Sequence, residues 1–180
     1  PSPISIAHPS APTVNGTITQ LRYYRPSSET GSHTGRLWSS SGTSLATVTF
    51  TGETSSGWQT ATLASPVSVN ANTTYIVSVN CNTTYAITPS GLSTQITNRD
   101  LKSVADGANG YFHNNKGSFP NSSWQNSNYF RDVTFVAGNG GSDRIVAQKK
   151  MSNLNGNVLR FDLIGDLAMT PDGWVYFSCI

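Results

Sequence analysis

The sequence predicts an all-β protein, an antiparallel β-sandwich of jelly-roll type with extra strands at its C-terminal end. Three observations carry this reading. Short runs of alternating apolar and polar residues recur, with turn residues between them every ~8–12 positions. No stretch longer than two turns keeps a 3.6-residue apolar period, so helix content should be near nil. Charged residues are 11% of the 180-residue chain, far below the ~25% of ordinary soluble proteins. Ser, Thr, Asn and Gly fill the gap, a pattern that suits secreted all-β proteins and proteins that pack side by side.

Three regions follow from the order of elements. Residues 1–13 form a Pro-rich arm, with Pro1, Pro3, Pro9 and Pro12. Pro cannot donate to a ladder, so this segment reads as an edge strand or as an arm that pairs with a neighbour through Ile4 and Ile6. Residues 14–137 form the sandwich. Ile18–Tyr24, Thr34–Ser40, Leu45–Phe50 and Trp58–Leu63 read as four strands in a row, with Leu21 and Tyr23, then Ala46, Val48 and Phe50, then Ala61 and Leu63 inward. Pro66–Val69 is a short edge piece, Thr73–Val79 alternates around Tyr75, Val77 and Val79, and Tyr85–Thr88 is another short strand. Residues 89–131 are the least regular part and carry interleaved aromatics, and Asp132–Val136 closes the domain. Residues 138–180 are a Gly-rich joint followed by further strands. Leu159, Phe161 and Leu163 share one face, and Val175 and Phe177 lie in an apolar final strand that must be covered by its own domain or by another copy.

The chain opens Pro1-Ser2-Pro3, which suggests a removed leader or a piece of a longer chain. Asn15, Asn72, Asn82 and Asn121 stand in glycosylation sequons. Cys81 and Cys179 fit either one disulfide or two buried free thiols. A formal net charge of +2 without a basic cluster argues against nucleic-acid binding. No apolar run approaches the ~20 residues of a membrane helix.

Several pieces resemble a known family. Asn15-Gly16-Thr17-Ile18, Leu21-Arg22-Tyr23-Tyr24, Gly31-Ser32-His33-Thr34-Gly35-Arg36-Leu37-Trp38, Leu45 to Glu53, Ser56 to Thr60, Thr73 to Ser78, Ala105-Asp106-Gly107, Phe119 to Ser123 and Asn128 to Phe135 are similar to the domain of unknown function 4082. The resemblance runs over about residues 14–136. It implies an extracellular bacterial-type β-sandwich, usually one module among sugar-active, adhesive or Ig-like domains. It implies no activity and supplies no catalytic residues. The segment 138–180 lies outside it.

Candidate sites are few. Most of the acids stand beside Gly, Ser or Asn in turns, where they cap backbone donors, and no pair is placed for glycoside hydrolysis. No GxSxG elbow marks a nucleophile. His33, in the Gly31–Gly35 turn, reads as a residue capping backbone groups, with a metal role as the alternative. Asp100, Asp106 and Asn109, with Asn98, bring oxygen ligands into one loop, which suits Ca²⁺; ordinary Asx turns are the alternative. No other cofactor is expected. The aromatics Tyr24, Trp38, Trp58, Tyr111, Trp124 and Tyr129 are the best ligand contacts. Tyr111, Trp124, Gln125, Asn126 and Tyr129 have the stacking and hydrogen-bonding chemistry of a polysaccharide site, unless the rings only pin the long loop down.

Two functions are expected from these features. The first is a non-catalytic extracellular structural protein, a surface or filament subunit joined to copies of itself by strand addition and flat polar contacts. The second is a carbohydrate-binding module. A glycoside hydrolase is the weakest alternative.

Overall fold

The computed structural model describes residues 4–104 and 107–138, together with the backbones of Leu167–Met169 and Val175–Phe177. The chain divides into two units, Pro1–Gly138 and Asn139–Ile180. All described secondary structure is extended, and no described helix is long and apolar enough to cross a membrane.

The first unit is an unequal sandwich. The strands are β1 (Ile4–Pro12), β2 (Gly16–Arg25), β3 (Thr34–Ser39), β4 (Ser44–Thr49), β5 (Gly57–Val69), β6 (Tyr75–Cys81), β7 (Thr97–Asn98), β8 (Leu101–Ser103), β9 (Tyr111–His113), β10 (Ser122–Ser123) and β11 (Arg131–Ala137). The larger sheet runs β10-β9-β1-β6-β3-β4, with the β7–β8 hairpin beside β1, and the smaller runs β11-β2-β5. Every pairing is antiparallel.

The four consecutive strands therefore do not share one sheet. β2 pairs with β5, while the β3–β4 hairpin belongs to the opposite sheet. Within this run the chain crosses between the sheets twice, through residues 26–33 and 50–56. The core lies between the sheets: Ile18, Leu21 and Tyr23 from β2, Ala61 and Leu63 from β5 and Val133 from β11 meet Leu37 from β3 and Tyr75, Val77 and Val79 from β6. This alternation is the one the sequence displays.

Three expectations change. Of the expected arm 1–13, the described part Ile4–Pro12 is no edge or free arm, and residues 1–3 lie outside the described residues. β1 lies inside the large sheet, with Ile4 opposite Cys81 and Ile6 opposite Val79 on one side, and Ile6 opposite Phe112 on the other. Pro9 is tolerated because it falls between the β9 ladder, which ends at Ala7, and the β8 ladder, which starts at Ser10. No ladder bond is asked of its nitrogen there. Trp58–Leu63 and Pro66–Val69 are one strand, since the register slips from Gln20↔Thr62 to Ile18↔Val67 and leaves Pro66 in a bulge. Tyr85–Thr88 forms no strand, only an isolated bridge between Thr88 and Asn128.

β6 is buried along its whole length. One face meets the opposite sheet. The other is covered by the segment 107–130, where Tyr111 and Phe119 pack on Trp38 and Ile76. The long irregular segment is thus a lid of side chains over the outer face of the large sheet.

In the second unit, β12 (Leu167–Met169) pairs with β13 (Val175–Phe177), placing Leu167 opposite Phe177 and Met169 opposite Val175. Val175 and Phe177 thus belong to a strand partnered by its own chain. Leu159, Phe161 and Leu163 lie outside the described residues.

Candidate functional site

Two constellations stand out, and the first is buried. The chain has only two glutamates, Glu29 in the crossing from β2 to β3 and Glu53 in the crossing from β4 to β5. Between them stands His33, fully buried. Its Nε2 lies 2.9 Å from Glu29 Oε1 and its Nδ1 2.8 Å from Glu53 Oε2. Glu29 also accepts the backbone N–H groups of Asn82 at 2.6 Å, Thr83 at 2.9 Å and Thr84 at 2.5 Å, and the Thr83 hydroxyl at 2.8 Å. Burial pushes the Glu29 carboxyl up, but these donors and His33 outweigh it and hold the group down at about 2. Two carboxylates on the two ring nitrogens are both satisfied when each nitrogen donates.

Glu53 in turn accepts the Tyr23 hydroxyl at 3.0 Å and pairs with Arg25 at 3.2 Å. Burial and the bond to Glu53 raise the Tyr23 phenol well above its ordinary range. The whole array ties the two crossings to the loop after β6. With His33 and Glu29 at 0% and 1% exposure, no substrate reaches it, and its role is structural. Sequence reading took His33 for a turn residue capping backbone groups. The available signal was the placement of both glutamates around one histidine in a chain with so little charge.

The second constellation is open. A cleft of about 200 Å³ is lined by Ser10 of β1, Val77 of β6, the β7–β8 hairpin through Ile96, Asn98, Leu101, Lys102 and Ser103, by Asn128, Phe130, Arg131 and Asp132, and by Trp58. Strand alternation sends Leu21 and Tyr23 inward and leaves Arg22 and Tyr24 on the outer face of the small sheet. Trp58 stands opposite Tyr24 in register and is 43% exposed. Their rings meet edge-on at 6.0 Å, and Phe130 approaches Tyr24 at 6.3 Å. The Arg22 guanidinium lies 4.9 Å from the Trp58 ring centre and pairs with Asp132 at 3.3 Å. At the base, Arg131 is buried, donating to Tyr129 O at 2.6 Å and Cys81 Sγ at 2.8 Å.

The predicted site residues divide. Trp124 is 44% exposed, and Gln125 and Asn126 beside it both hold positive φ, at 51° and 48°. Their carbonyls accept Ser90 and Leu92 N–H groups, so the conformation serves loop pairing. Tyr111 is half-buried in the packing over Trp38. Tyr129 is corrected outright as a ligand contact: at 4% exposure it packs on Cys81 and Ile87, and burial pushes its phenol up to about 12.

Of the predicted calcium ligands, Asn109 is fully buried, with its side-chain amide donating to the carbonyls of Val104 and Leu92. Asp100 is partly buried, and Asp106 lies outside the described residues. Among the described residues no three His, Cys, Asp or Glu side chains gather as a metal site. Cys81 is a buried free thiol, raised by that burial, and Cys179 lies outside the described residues. Sequence reading named Trp58 and Tyr24 among the aromatics but missed the cleft beside them. It is built across both sheets by residues far apart in the chain.

A family model described as "Domain of unknown function (DUF4082)" matches residues 7–131, beginning within β1 and ending at the first residue of β11. No curated protein and no solved structure gives a significant match.

Proposed function

The chain belongs to the family described as Domain of unknown function (DUF4082), and from the geometry of its cleft we propose that it is a non-catalytic, extracellular carbohydrate-binding module. The observation that carries this reading is the exposed indole of Trp58, with Tyr24 edge-on beside it, at a cleft with amides, hydroxyls and charges along its walls. Sugar rings present apolar C–H faces and a rim of hydroxyls. A flat indole takes the face, and side chains such as Asn98, Asn128, Ser10 and Asp132 take the rim.

Strand addition by the N-terminal segment, the mechanism expected of a self-assembling filament subunit, is not part of the proposal, because β1 has ladder partners on both sides.

Affinity electrophoresis against a panel of polysaccharides tests the reading. The protein is expected to be retarded by at least one, and Trp58→Ala to weaken that retention about tenfold or more, as loss of a central aromatic contact does. The same variant should stay within about 0.5 kcal/mol of the parent in stability, since the side chain is largely outside the core. Retention unaffected by Trp58→Ala would move the site elsewhere.

A further inference from the structure

We propose that Lys116 and Asn82 become joined by a side-chain amide, an isopeptide bond that the chain forms by itself with release of ammonia; this stands independently of the carbohydrate reading. Nζ of Lys116 donates to Oδ1 of Asn82 at 3.1 Å, bringing an exposed loop residue onto the residue that follows β6. Among the described residues no carboxylate lies within ion-pair distance of this amine. The orientation of the Asn82 amide is fixed by its partners. Oδ1 also accepts from Asn80 Nδ2 at 3.1 Å, while Nδ2 donates to Thr30 O at 2.8 Å and Ser32 O at 3.2 Å. That leaves Nδ2 facing His33 Nε2 at 3.4 Å. With both His33 nitrogens donating to carboxylates, this sets a donor against a donor. The contact is of no use to an amide, and it is the one a departing amine needs.

The groups match the steps of an amide exchange. Lys116, exposed and able to swing out of the amide plane, attacks Cγ as the neutral amine. The carbonyl electrons move to Oδ1, where Asn80 Nδ2 stabilises the developing charge. Nδ2 becomes tetrahedral and gains a lone pair, which takes the proton of His33 Nε2. The Cγ–Nδ2 bond breaks as the carbonyl reforms, and ammonia leaves. The proton shed by Nζ goes to solvent, and His33 regains its own once ammonia has left. One C–N bond forms, one breaks, and no oxidant or cofactor is needed. Glu29 holds His33 Nε2 at 2.9 Å and the Asn82 N–H at 2.6 Å, so acid and amide are kept together. The array is closed to outside molecules, but Asn82 meets it from within. The product staples the 107–130 segment to the end of β6. Lys102 and Asn72 provide the contrast. Their Nζ and Oδ1 lie 3.4 Å apart, yet no described histidine or carboxylate bonds to Asn72, so that pair should stay unjoined.

Intact mass spectrometry of the full chain, after incubation at neutral and at alkaline pH, tests this. The mass should fall below that of the sequence by one ammonia, with residues 82 and 116 found in one branched tryptic peptide. Attack needs the neutral amine, so joining should be faster at alkaline pH. The charged groups around the pair are His33 and Glu29 beside Asn82, and Arg36, whose guanidinium packs against Gly117. Lys116→Arg, a change on an exposed side chain, should fold normally and show no loss, while Lys102→Arg keeps it. His33→Gln should slow joining about a hundredfold or more, the usual share of a positioned acid. Equal rates in a folded His33→Gln protein overturn the role given to His33; where that buried change prevents folding, the two lysine variants still decide. A parent that keeps its full mass and a free Lys116 at every pH overturns the proposal. So does an ammonia loss that persists in Lys116→Arg, since succinimide formation at an Asn-Gly pair such as Asn15-Gly16 then accounts for it.

Discussion

Replacing Glu29 by Gln isolates the charge of the buried array, because Gln has nearly the shape of a protonated Glu. The carboxyl is held at about 2 against an ordinary 4.5, a depression that corresponds to about 3 kcal/mol of native-state stabilisation at neutral pH. The group is 1% exposed, so little of this is screened by solvent. Glu29→Gln should therefore destabilise the domain by about 3 kcal/mol at pH 7, a large share of the roughly 5–15 kcal/mol that holds a typical domain. The pH dependence has a definite sign. A depressed carboxyl contributes fully above its unfolded value and loses the contribution as pH falls through its folded one. The difference between parent and variant should thus be complete above pH 4.5, shrink to about 2 kcal/mol at pH 3.5 and reach about 1 kcal/mol or less at pH 2.5. Urea unfolding followed by tryptophan fluorescence at these pH values measures it. A difference below about 1 kcal/mol at pH 7, or one that stays constant down to pH 2.5, would refute the assignment of this carboxylate as an ionised, hydrogen-bonded node.

Two further outcomes check the packing. Cys81, 3% exposed with its thiol raised by burial, should resist a thiol reagent in the native Cys179→Ser protein and react at once after denaturation; fast native labelling would contradict the buried environment. Gly110 has φ of 75°, and a Cβ there would meet Ser127 N and O at 2.6 Å. Gly110→Ala should cost about 2 kcal/mol or more in urea unfolding, from backbone strain and collision together, and a neutral effect would mean that this turn is free to relax.

The alternation of Leu21 and Tyr23, of Ala61 and Leu63, and of Val77 and Val79 was legible because one-sided burial writes itself into a strand with period two. What escaped depends on partners distant in sequence. Residues 1–13 looked like an arm because Pro usually marks an edge; the gap between two ladders that admits Pro9 is set by β8 and β9, about a hundred residues away. Ile76 looked outward-facing, and is buried because the 107–130 segment supplies a second cover. Trp124 attracted attention as a loop aromatic, and it is exposed as expected, yet Tyr129 five residues on is core. Composition gives the same chemistry to both, and only the register of the fold separates them. The cleft escaped for the same reason, since Trp58, Lys102 and Asp132 meet only after both sheets have formed.

The buried array and the cleft are connected through β2 and the crossing that leads into β5. Glu53 receives Tyr23 and Arg25, the inward neighbours of Tyr24 along the strand. In the same crossing, Arg25 donates to Thr54 O, and the Gln59 side chain donates to Gly57 O and Thr54 Oγ1. These bonds fix the residues on both sides of Trp58. A stacking platform gains affinity when its ring is held in place before the ligand arrives, because less freedom is then lost on binding. On the carbohydrate-binding proposal, the array of Glu29, His33 and Glu53 acts without touching the ligand: it anchors the backbone that presents the indole.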